Sequence, residues 1–250
     1  NLKDLVFCLD NELNIIKISD YSINGLQVEG KEKVNKISFA VDLSLETIKK
    51  CAENKSDMII VHHGIFWKNS QITITGIHKE RIKNLLDNRI SVYAAHLPLD
   101  LHPKYGNNAA ICNLLNLKQI KSFGNYNGIM IGFYGNLTEK TELDKFIKLF
   151  EKKICKPNHI IKSNNFVKKI GVVSGGGAGL FYECSSLGID TFVTGEQNYT
   201  VQNFAEEQKI NIIFGGHYNT EIYGVKSLMN FIKKRYPGIK MEFIDIPSLL

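Results

Sequence analysis

Residues 58–67 read MIIVHHGIFW, an apolar run that leads directly into two adjacent histidines and a glycine. A short, uninterrupted apolar run is typical of a strand whose two faces are both covered by helices. Because successive strand side chains point to opposite faces, His62 and His63 cannot face one target while the strand stays regular. We therefore expect the strand to end after Val61, in a turn at Gly64 that lets both imidazoles serve one site.

The composition is that of an ordinary soluble globular protein. The chain has 250 residues, of which 44% are hydrophobic and 22% charged, with a net charge of +6. No apolar run approaches the roughly 20 residues of a membrane helix, and the N-terminal segment carries acidic residues where a signal peptide would be basic. Five scattered cysteines without a Cys-x-x-Cys pair argue against disulfides and against a thiolate zinc site. We expect a cytoplasmic protein without membrane contact.

Strands and helices alternate along the whole chain. In the first part we predict strands at 36–42, 57–61 and 90–95, and helices at 2–16, 44–54, 78–88 and 107–116. After about residue 122 the pattern restarts, with strands at 128–137, 159–163, 168–179, 190–196, 211–217 and 240–246. The helices predicted there span 142–154, 180–188, 201–209 and 224–235.

The two halves have similar spacing. Strands beginning at Ile37 and Met58 lie 21 positions apart, and those beginning at Gly171 and Thr191 lie 20 apart. This spacing predicts an α/β fold of two related domains, 1–122 and 123–250, with terminal elements crossing between them. Each domain is expected to contain a mixed sheet flanked by helices. Since open α/β sheets bind ligands beyond the carboxyl ends of their strands, we expect a metal site in the cleft between the domains.

Histidines and carboxylates follow three of the predicted strands. One strand ends in a histidine pair, and a second ends in His96, after which Pro98 is expected to impose an extended turn that delivers a carboxylate. A third ends in a glycine pair, a histidine and a glutamate four residues later. The candidate metal ligands are therefore His62, His63, Asp100, His217 and Glu221.

Imidazole and carboxylate together suit Zn, Mn, Fe, Co or Ni. Five ligands exceed what one ion needs, but they suit two ions about 3.5–4 Å apart that share a bridging carboxylate and a water. Asp100 is the expected bridge, with each histidine of the pair on a different ion. We therefore predict two divalent metal ions per chain. A lone histidine at a strand end is commonly structural, so the prediction depends on the three strand ends together.

Other residues leave alternatives open. His96 suits a general acid or base, or a structural role beside a ligand, and Glu196 is likewise either catalytic or a partner of a ligand. Trp67 could stack on a base or pack in the core. GGGAG at 175–179 could bring N–H groups to an anion or form a tight strand–helix turn. The basic clusters Lys152–Lys153 and Lys233–Arg235 are expected as solvated helix faces rather than a nucleic-acid surface.

A set of motifs resembles one family. The chain resembles a short bacterial member of the NIF-three-like family, often labelled GTP cyclohydrolase I type 2 homologues, without the inserted domain of some relatives. The resemblance implies metal ligands at the five positions above, two α/β domains facing a dinuclear site, and a toroidal homohexamer. The histidine that many relatives carry after TGE is missing from QNYTVQNF (197–204). The motifs are NGLQVEG (24–30), VHHGIFW (61–67), HLPLDLHPKYGNN (96–108), GGGAGLF (175–181), TGE (194–196) and GGHYNTEIYGVKSL (215–228).

These observations favour a metal-dependent hydrolase. A metal-bridging water would attack an electrophilic carbon or phosphorus, while the second ion holds the developing oxyanion. The family label suggests a nucleotide such as GTP as substrate, and phosphoester or amide hydrolysis would fit the same residues. The alternative is a non-catalytic metal-binding ring protein that acts as a metal chaperone, regulator or scaffold.

Overall fold

The computed structural model describes residues 1–68 and 73–248. Two compact units make up the chain: the first contains Asn1–Tyr105 and Val225–Ile246, and the second is built mainly from Gly106–Gly224. Each unit contains one mixed sheet with flanking helices, which confirms the predicted α/β class. Within the described residues, no helix combines the length and apolarity required to cross a membrane.

The elements follow one another in this order: α1 (Leu2–Leu13), β1 (Gly25–Val28), β2 (Lys36–Asp42), α2 (Leu45–Glu53), β3 (Met58–His63), α3 (Gly76–Asp87), β4 (Ser91–Ala94), α4 (Leu97–Asp100), α5 (Asn107–Leu114), β5 (Lys118–Tyr126), β6 (Ile129–Glu142), α6 (Leu143–Lys153), β7 (His159–Ile161), β8 (Phe166–Val173), β9 (Thr191–Thr194), α7 (Gln202–Gln208), β10 (Asn211–Phe214), α8 (His217–Arg235) and β11 (Lys240–Phe243). Short 3₁₀ segments lie at Ile15–Lys17, Gly177–Glu183 and Tyr199–Val201.

The sheet of the first unit has the strand order β1-β4-β3-β2-β11. Its four strands from β4 to β11 are parallel, and β1 joins antiparallel at the edge. The central strands are buried along their length because helices cover them, as their apolar sequences require. Ser44 begins α2 by accepting a hydrogen bond from the Thr47 N–H, and the helix buries Ile48 and Cys51 against the sheet.

The sheet of the second unit has the order β5-β6-β8-β9-β10-β7. Strands β8, β9 and β10 are parallel, and the flanking strands are antiparallel. Helix α6 places Phe146 and Phe150 in the core of this unit, where they cluster with Val167 and Ile170. β3 ends on His63, and His96 and His217 follow the ends of β4 and β10 by two and three residues.

The ends of three elements differ from the prediction. β3 does not stop after Val61 but continues through His63, because β2 runs beside it and pairs Asp42 with His63. The extended turn expected from Pro98 is instead the short helix α4, since proline is tolerated in a first helical turn. The segment after GGGAG is a 3₁₀ stretch rather than an α-helix, in keeping with the weak helix propensity of glycine.

The last helix begins earlier than predicted. Gly224 was taken as its start, but α8 begins at His217 and passes through Gly224 without interruption. The reason for a glycine at that position is a close approach: a Cβ there would lie 2.6 Å from the Asn107 Oδ1 atom, and the Gly224 N–H donates to that same oxygen. As a result, His217 and Glu221 lie on one helix.

Two strands were not predicted. β1 has only four residues, two of them buried, and β5 is largely exposed and polar. The first unit runs to Tyr105, and β5 pairs with β6 in the sheet of the second unit. β11 lies beside β2 in the sheet of the first unit.

The start of β3 provides a test of the first unit. Asp57 is buried; its Oδ2 accepts the N–H groups of Asn35 and Lys36 at 2.9 and 3.2 Å, and its Oδ1 accepts the Lys31 ammonium at 2.7 Å. Burial raises the pKa of Asp57, but these hydrogen bonds outweigh it and hold the pKa below the ordinary 3.8. The ionised carboxylate therefore stabilises the fold fully above about pH 3.8, the pKa in the unfolded chain. This contribution is lost as the pH falls through the lower pKa of the folded state.

We predict that Asp57→Ala lowers the free energy of unfolding by about 2 kcal/mol at pH 7, because it removes the hydrogen bonds that a buried carboxylate accepts from two backbone N–H groups and from Lys31. The difference from wild type should shrink at pH 3. Urea denaturation at both pH values measures it. The control is Asp87→Ala, which removes an exposed i,i+4 pair with Lys83 and should cost less than about 0.5 kcal/mol. Equal losses in the two variants would contradict this account.

Candidate metal centre

The end of β3 positions two imidazoles through their Nδ1 atoms. His62 is fully buried, and its Nδ1 lies 2.8 Å from the carbonyl oxygen of Ala95, which follows β4. His63 is half-buried, and its Nδ1 lies 2.7 Å from Asp42 Oδ1. A carbonyl or carboxylate oxygen can only accept, so each Nδ1 carries a proton, and in the neutral imidazole Nε2 then presents the lone pair. The ring centroids are 4.7 Å apart even though the residues are neighbours in a strand.

Strand register explains the partner of His63. Asp42 is the last residue of β2 and lies opposite His63 in the parallel pair, so the sheet itself brings the carboxylate to the imidazole. Histidines that bind metals commonly donate the other ring N–H to a carboxylate or a carbonyl, which fixes both tautomer and orientation. The sequence contained one signal for Asp42, an acidic residue at the end of an apolar strand, but its role was not predicted.

The first unit also brings Asp100 to this place. Helix α4 buries Asp100 and sets its Oδ2 3.4 Å from His62 Nε2. Two ligands bound at about 2.0–2.1 Å to one tetrahedral ion would have their donor atoms roughly 3.3 Å apart. The separation therefore fits two ligands of a common ion. His96 adds a third imidazole, since ligand atoms of His62, His63 and His96 all lie within 4.8 Å of one another.

His96 is held by a buried carboxylate. Its Nδ1 lies 2.9 and 3.0 Å from the two oxygens of Asp20, which also accept the N–H of Leu97 and the side-chain amide of Asn24. Burial raises the pKa of Asp20, but the hydrogen bond and charge of His96 and the hydrogen bond from Asn24 outweigh burial and bring the pKa down from 3.8 to about 2. The carboxylate is ionised at neutral pH. It orients the ring of His96, a role for Asp20 that the sequence did not reveal.

A close-packed turn follows the histidine pair. A Cβ on Gly64 would collide with the Gln27 side chain and lie 2.7 Å from the Ala94 Cβ, so only glycine fits. Gln27 accepts the Ile65 N–H at 2.8 Å through Oε1, which holds the chain as it leaves β3. The chain bends at Ile65, one residue after Gly64, so the glycine is required by the close approach to Gln27 and Ala94. Gln27 belongs to the NGLQVEG motif, and its contact gives that motif a structural role.

The second unit positions a histidine and two carboxylates. His217 and Glu221 are one turn apart on α8, with His217 Nε2 3.0 Å from Glu221 Oε2. His217 Nδ1 lies 2.7 Å from Glu196 Oε1, which follows β9. Glu196 therefore orients this imidazole as Asp42 orients His63, and the alternative of a ligand's partner, left open above, is the one that the geometry favours.

The charges around His217 make it basic in the absence of a metal. Burial lowers the pKa of this imidazole, but the hydrogen bonds and charges of Glu221 and then Glu196 outweigh burial and raise the pKa to about 9. A cation bound at Nε2 would replace a proton there. Two carboxylates around one imidazole therefore form a site that attracts positive charge.

Gly175 and Thr220 shape the second unit around Glu221. Gly175 has φ +61°, and a Cβ on it would collide with the Glu221 carboxylate and lie 3.2 Å from His217 Nε2. Its N–H donates to Thr220 Oγ1 at 3.0 Å, and its carbonyl accepts the N–H of Glu196 at 2.9 Å. GGGAG therefore forms a tight turn beside the carboxylate, which is one of the two roles the sequence allowed.

The donor chemistry of both units fits divalent metal ions. Each candidate histidine ligand has its Nδ1 at an oxygen acceptor, and the Nε2 atoms of His62 and His217 each lie beside a carboxylate. The first unit brings together His62, His63 and Asp100, and the second brings together His217 and Glu221. The expected placement of one site in a cleft between the domains stays a prediction. His102 lies apart, with its Nδ1 accepting the N–H groups of Lys104 and Tyr105.

Comparison with known proteins identifies relatives over the full length. A family model described as Duf34/NIF3 (NGG1p interacting factor 3) matches residues 1–248. A Pyrococcus horikoshii protein named GTP cyclohydrolase 1 type 2 homolog is 44% identical over 98% of each chain. Among solved structures, TTHA1606 from Thermus thermophilus superposes with a TM-score of 0.90 at 35% identity, covering 100% of both chains. Protein ybgI, described as of unknown function, gives 0.91 at 33% identity over 99% of both chains.

The turn at Gly175 yields a prediction with a matched control. Gly175→Ala should lower the free energy of unfolding by about 2 kcal/mol, because alanine is strained at positive φ and its methyl group collides with Glu221. It should also weaken metal binding, since Glu221 and His217 must shift. Gly179→Ala, in the same turn, places its methyl in open space and should change neither quantity by more than about 0.5 kcal/mol.

Urea denaturation and chelator competition measure the two quantities. If Gly175→Ala binds metal and unfolds like Gly179→Ala, then the tight contact with Glu221 is not required.

Proposed function

The chain belongs to the Duf34/NIF3 (NGG1p interacting factor 3) family, and from that premise we propose that it is a divalent-metal-dependent hydrolase. It binds two ions per chain, with zinc, manganese, iron, cobalt and nickel all compatible with imidazole and carboxylate donors. The residues proposed to hold the ions are His62, His63, Asp100, His217 and Glu221.

One observation carries the proposal: each of the three proposed histidine ligands is fixed through Nδ1 by an oxygen acceptor. Purely structural histidines need no common orientation. Here the acceptors are different in kind (a backbone carbonyl, an aspartate and a glutamate). They leave the Nε2 atoms of His62 and His217 beside a carboxylate, and they hold His63 within a group of candidate donors. In metal sites, hydrogen-bond acceptors at Nδ1 fix the orientation of histidine ligands and raise the basicity of the coordinating nitrogen.

Bound divalent ions lower the pKa of water towards 7 and stabilise developing negative charge, which supports hydrolysis near neutral pH. The protein's own residues supply the rest. Asp42 and Glu196 hold His63 and His217 in place, and Asp20 holds His96. His96 is the residue we assign to proton transfer: the Asp20 carboxylate at Nδ1 orients the ring and leaves Nε2 as the atom that would take up or give up a proton.

The proposed substrate is a nucleotide. Full-length relatives, among them the Pyrococcus horikoshii protein, carry the name GTP cyclohydrolase 1 type 2 homolog, and that name brings a purine nucleotide into the proposal. The bound metal would supply the chemistry for hydrolytic opening of the purine ring or for hydrolysis of a phosphoester. The toroidal homohexamer implied by the family resemblance stays a prediction that native mass spectrometry tests.

We predict turnover of at least one nucleotide in a panel of nucleotides and phosphoesters presented to the metal-loaded protein. Asp100→Ala should abolish it by removing a proposed ligand. His96→Gln should keep the metal but lower kcat about 10²-fold or more, because proton transfer by a positioned side chain contributes about that much. The control is Asp144→Ala, an exposed residue that pairs with Lys162 and should leave the rate unchanged.

Activity that survives Asp100→Ala would contradict the hydrolase. Bound metal without turnover of any compound would instead favour the non-catalytic alternative, a metal chaperone, regulator or scaffold. Full activity in His96→Gln would leave the metal centre standing and remove the assigned role of His96.

A further inference from the structure

Trp67 is the only tryptophan in the chain, and its indole ring lies beside the histidine cluster. The ring centroid is 5.0 Å from that of His96, in an edge-to-face arrangement, and 6.0 Å from that of His63. The side chain is partly exposed rather than enclosed in the core. The core-packing role that the sequence allowed for Trp67 therefore does not describe its position.

The structure holds the indole rigidly. Its Nε1–H donates to the Gly64 carbonyl at 3.2 Å, and its backbone forms an isolated antiparallel bridge with Ser22. On either side of that bridge, the Ile23 N–H donates to the Phe66 carbonyl at 3.1 Å and the Lys68 N–H donates to the Tyr21 carbonyl at 2.7 Å. A large aromatic ring is thus fixed at its nitrogen and on both sides of its backbone.

Trp67 is held by the same stretch of chain that carries His63. Gly64 directly follows His63, the last residue of β3, and its carbonyl accepts from the indole. The chain that leaves β3 therefore also orients the ring of Trp67. The indole belongs to a cluster of four rings, formed by His62, His63, His96 and Trp67, with neighbouring centroids 4.7–6.0 Å apart and ring planes tilted by 41–72°. An indole ring that is already held in place loses little entropy when a planar ligand stacks on it.

We propose that Trp67 is a stacking platform for the nucleobase of the substrate, and that it selects planar heteroaromatic ligands. The inference rests on the proposed function, because it places the reacting ligand beside the histidines. Base–aromatic stacking contributes enough that losing the indole should weaken binding by about 10-fold, within a range of roughly 5- to 150-fold. The sugar and phosphate would be recognised elsewhere, so ligands without a base should not sense Trp67.

GMP and ribose 5-phosphate make a matched pair of probes, because they differ only in the base. We expect metal-loaded wild type to bind GMP more tightly than ribose 5-phosphate in isothermal titration calorimetry. Trp67→Ala should weaken GMP binding by about 10-fold and leave ribose 5-phosphate binding unchanged. Trp67→Phe, which keeps an aromatic face, should retain most of the GMP affinity.

Two controls accompany these variants. Phe7→Ala removes another exposed aromatic ring of the first unit, on α1, and should not change GMP binding. Metal content and thermal unfolding of Trp67→Ala establish that the variant is folded and loaded.

Because Trp67 is the single tryptophan, its emission in the wild type reports stacking directly: GMP should quench it and ribose 5-phosphate should not.

The outcomes separate this inference from the proposed function. Equal affinity of wild type for the two probes, GMP affinity unchanged in Trp67→Ala, or equal losses for both probes would each overturn the stacking platform. Nucleotide turnover with an unchanged KM in Trp67→Ala would overturn the platform and leave the hydrolase intact. GMP binding that depends on Trp67 in a protein without any turnover would support the platform and remove the hydrolase.

Discussion

The register between two parallel strands is the constraint on which the first unit's chemistry depends. Because β2 and β3 run side by side to their last residues, Asp42 lies opposite His63 and accepts from its Nδ1. A shift of one residue would turn every side chain of β3 to the opposite face and separate the pair. The apolar residues that bury β3 therefore also fix the tautomer and direction of an imidazole at its end.

The second unit reaches the same arrangement from different elements. There the imidazole begins a helix instead of ending a strand, and Glu196, at the end of a neighbouring strand, accepts from its Nδ1. The helix adds a carboxylate one turn later, and a glycine at positive φ leaves room for it. In parallel α/β folds, helices begin near the carboxyl ends of strands. Strand ends in one unit, and a strand end with a helix start in the other, thus supply oriented donors.

The sequence predicted the residues of the site better than the backbone that carries them. Apolar runs revealed the buried strands, and His, Asp and Glu at their ends revealed the candidate ligands. The local backbone was harder: α4 depends on a proline at a helix start, and α8 passes through a glycine that is required by Asn107 rather than by a turn. Asp20 and Asp42 were missed as partners because a single sequence does not give strand register or long-range contacts.

The most direct test of the central claim is the metal content of each chain, measured by mass spectrometry on protein purified without chelator, alongside His217→Ala. The account predicts about two divalent ions per wild-type chain, as expected for a dinuclear centre, and fewer in the variant. Absence of bound metal in the wild type, even after incubation with zinc, manganese and iron, would contradict it and leave the oriented histidines as structural residues.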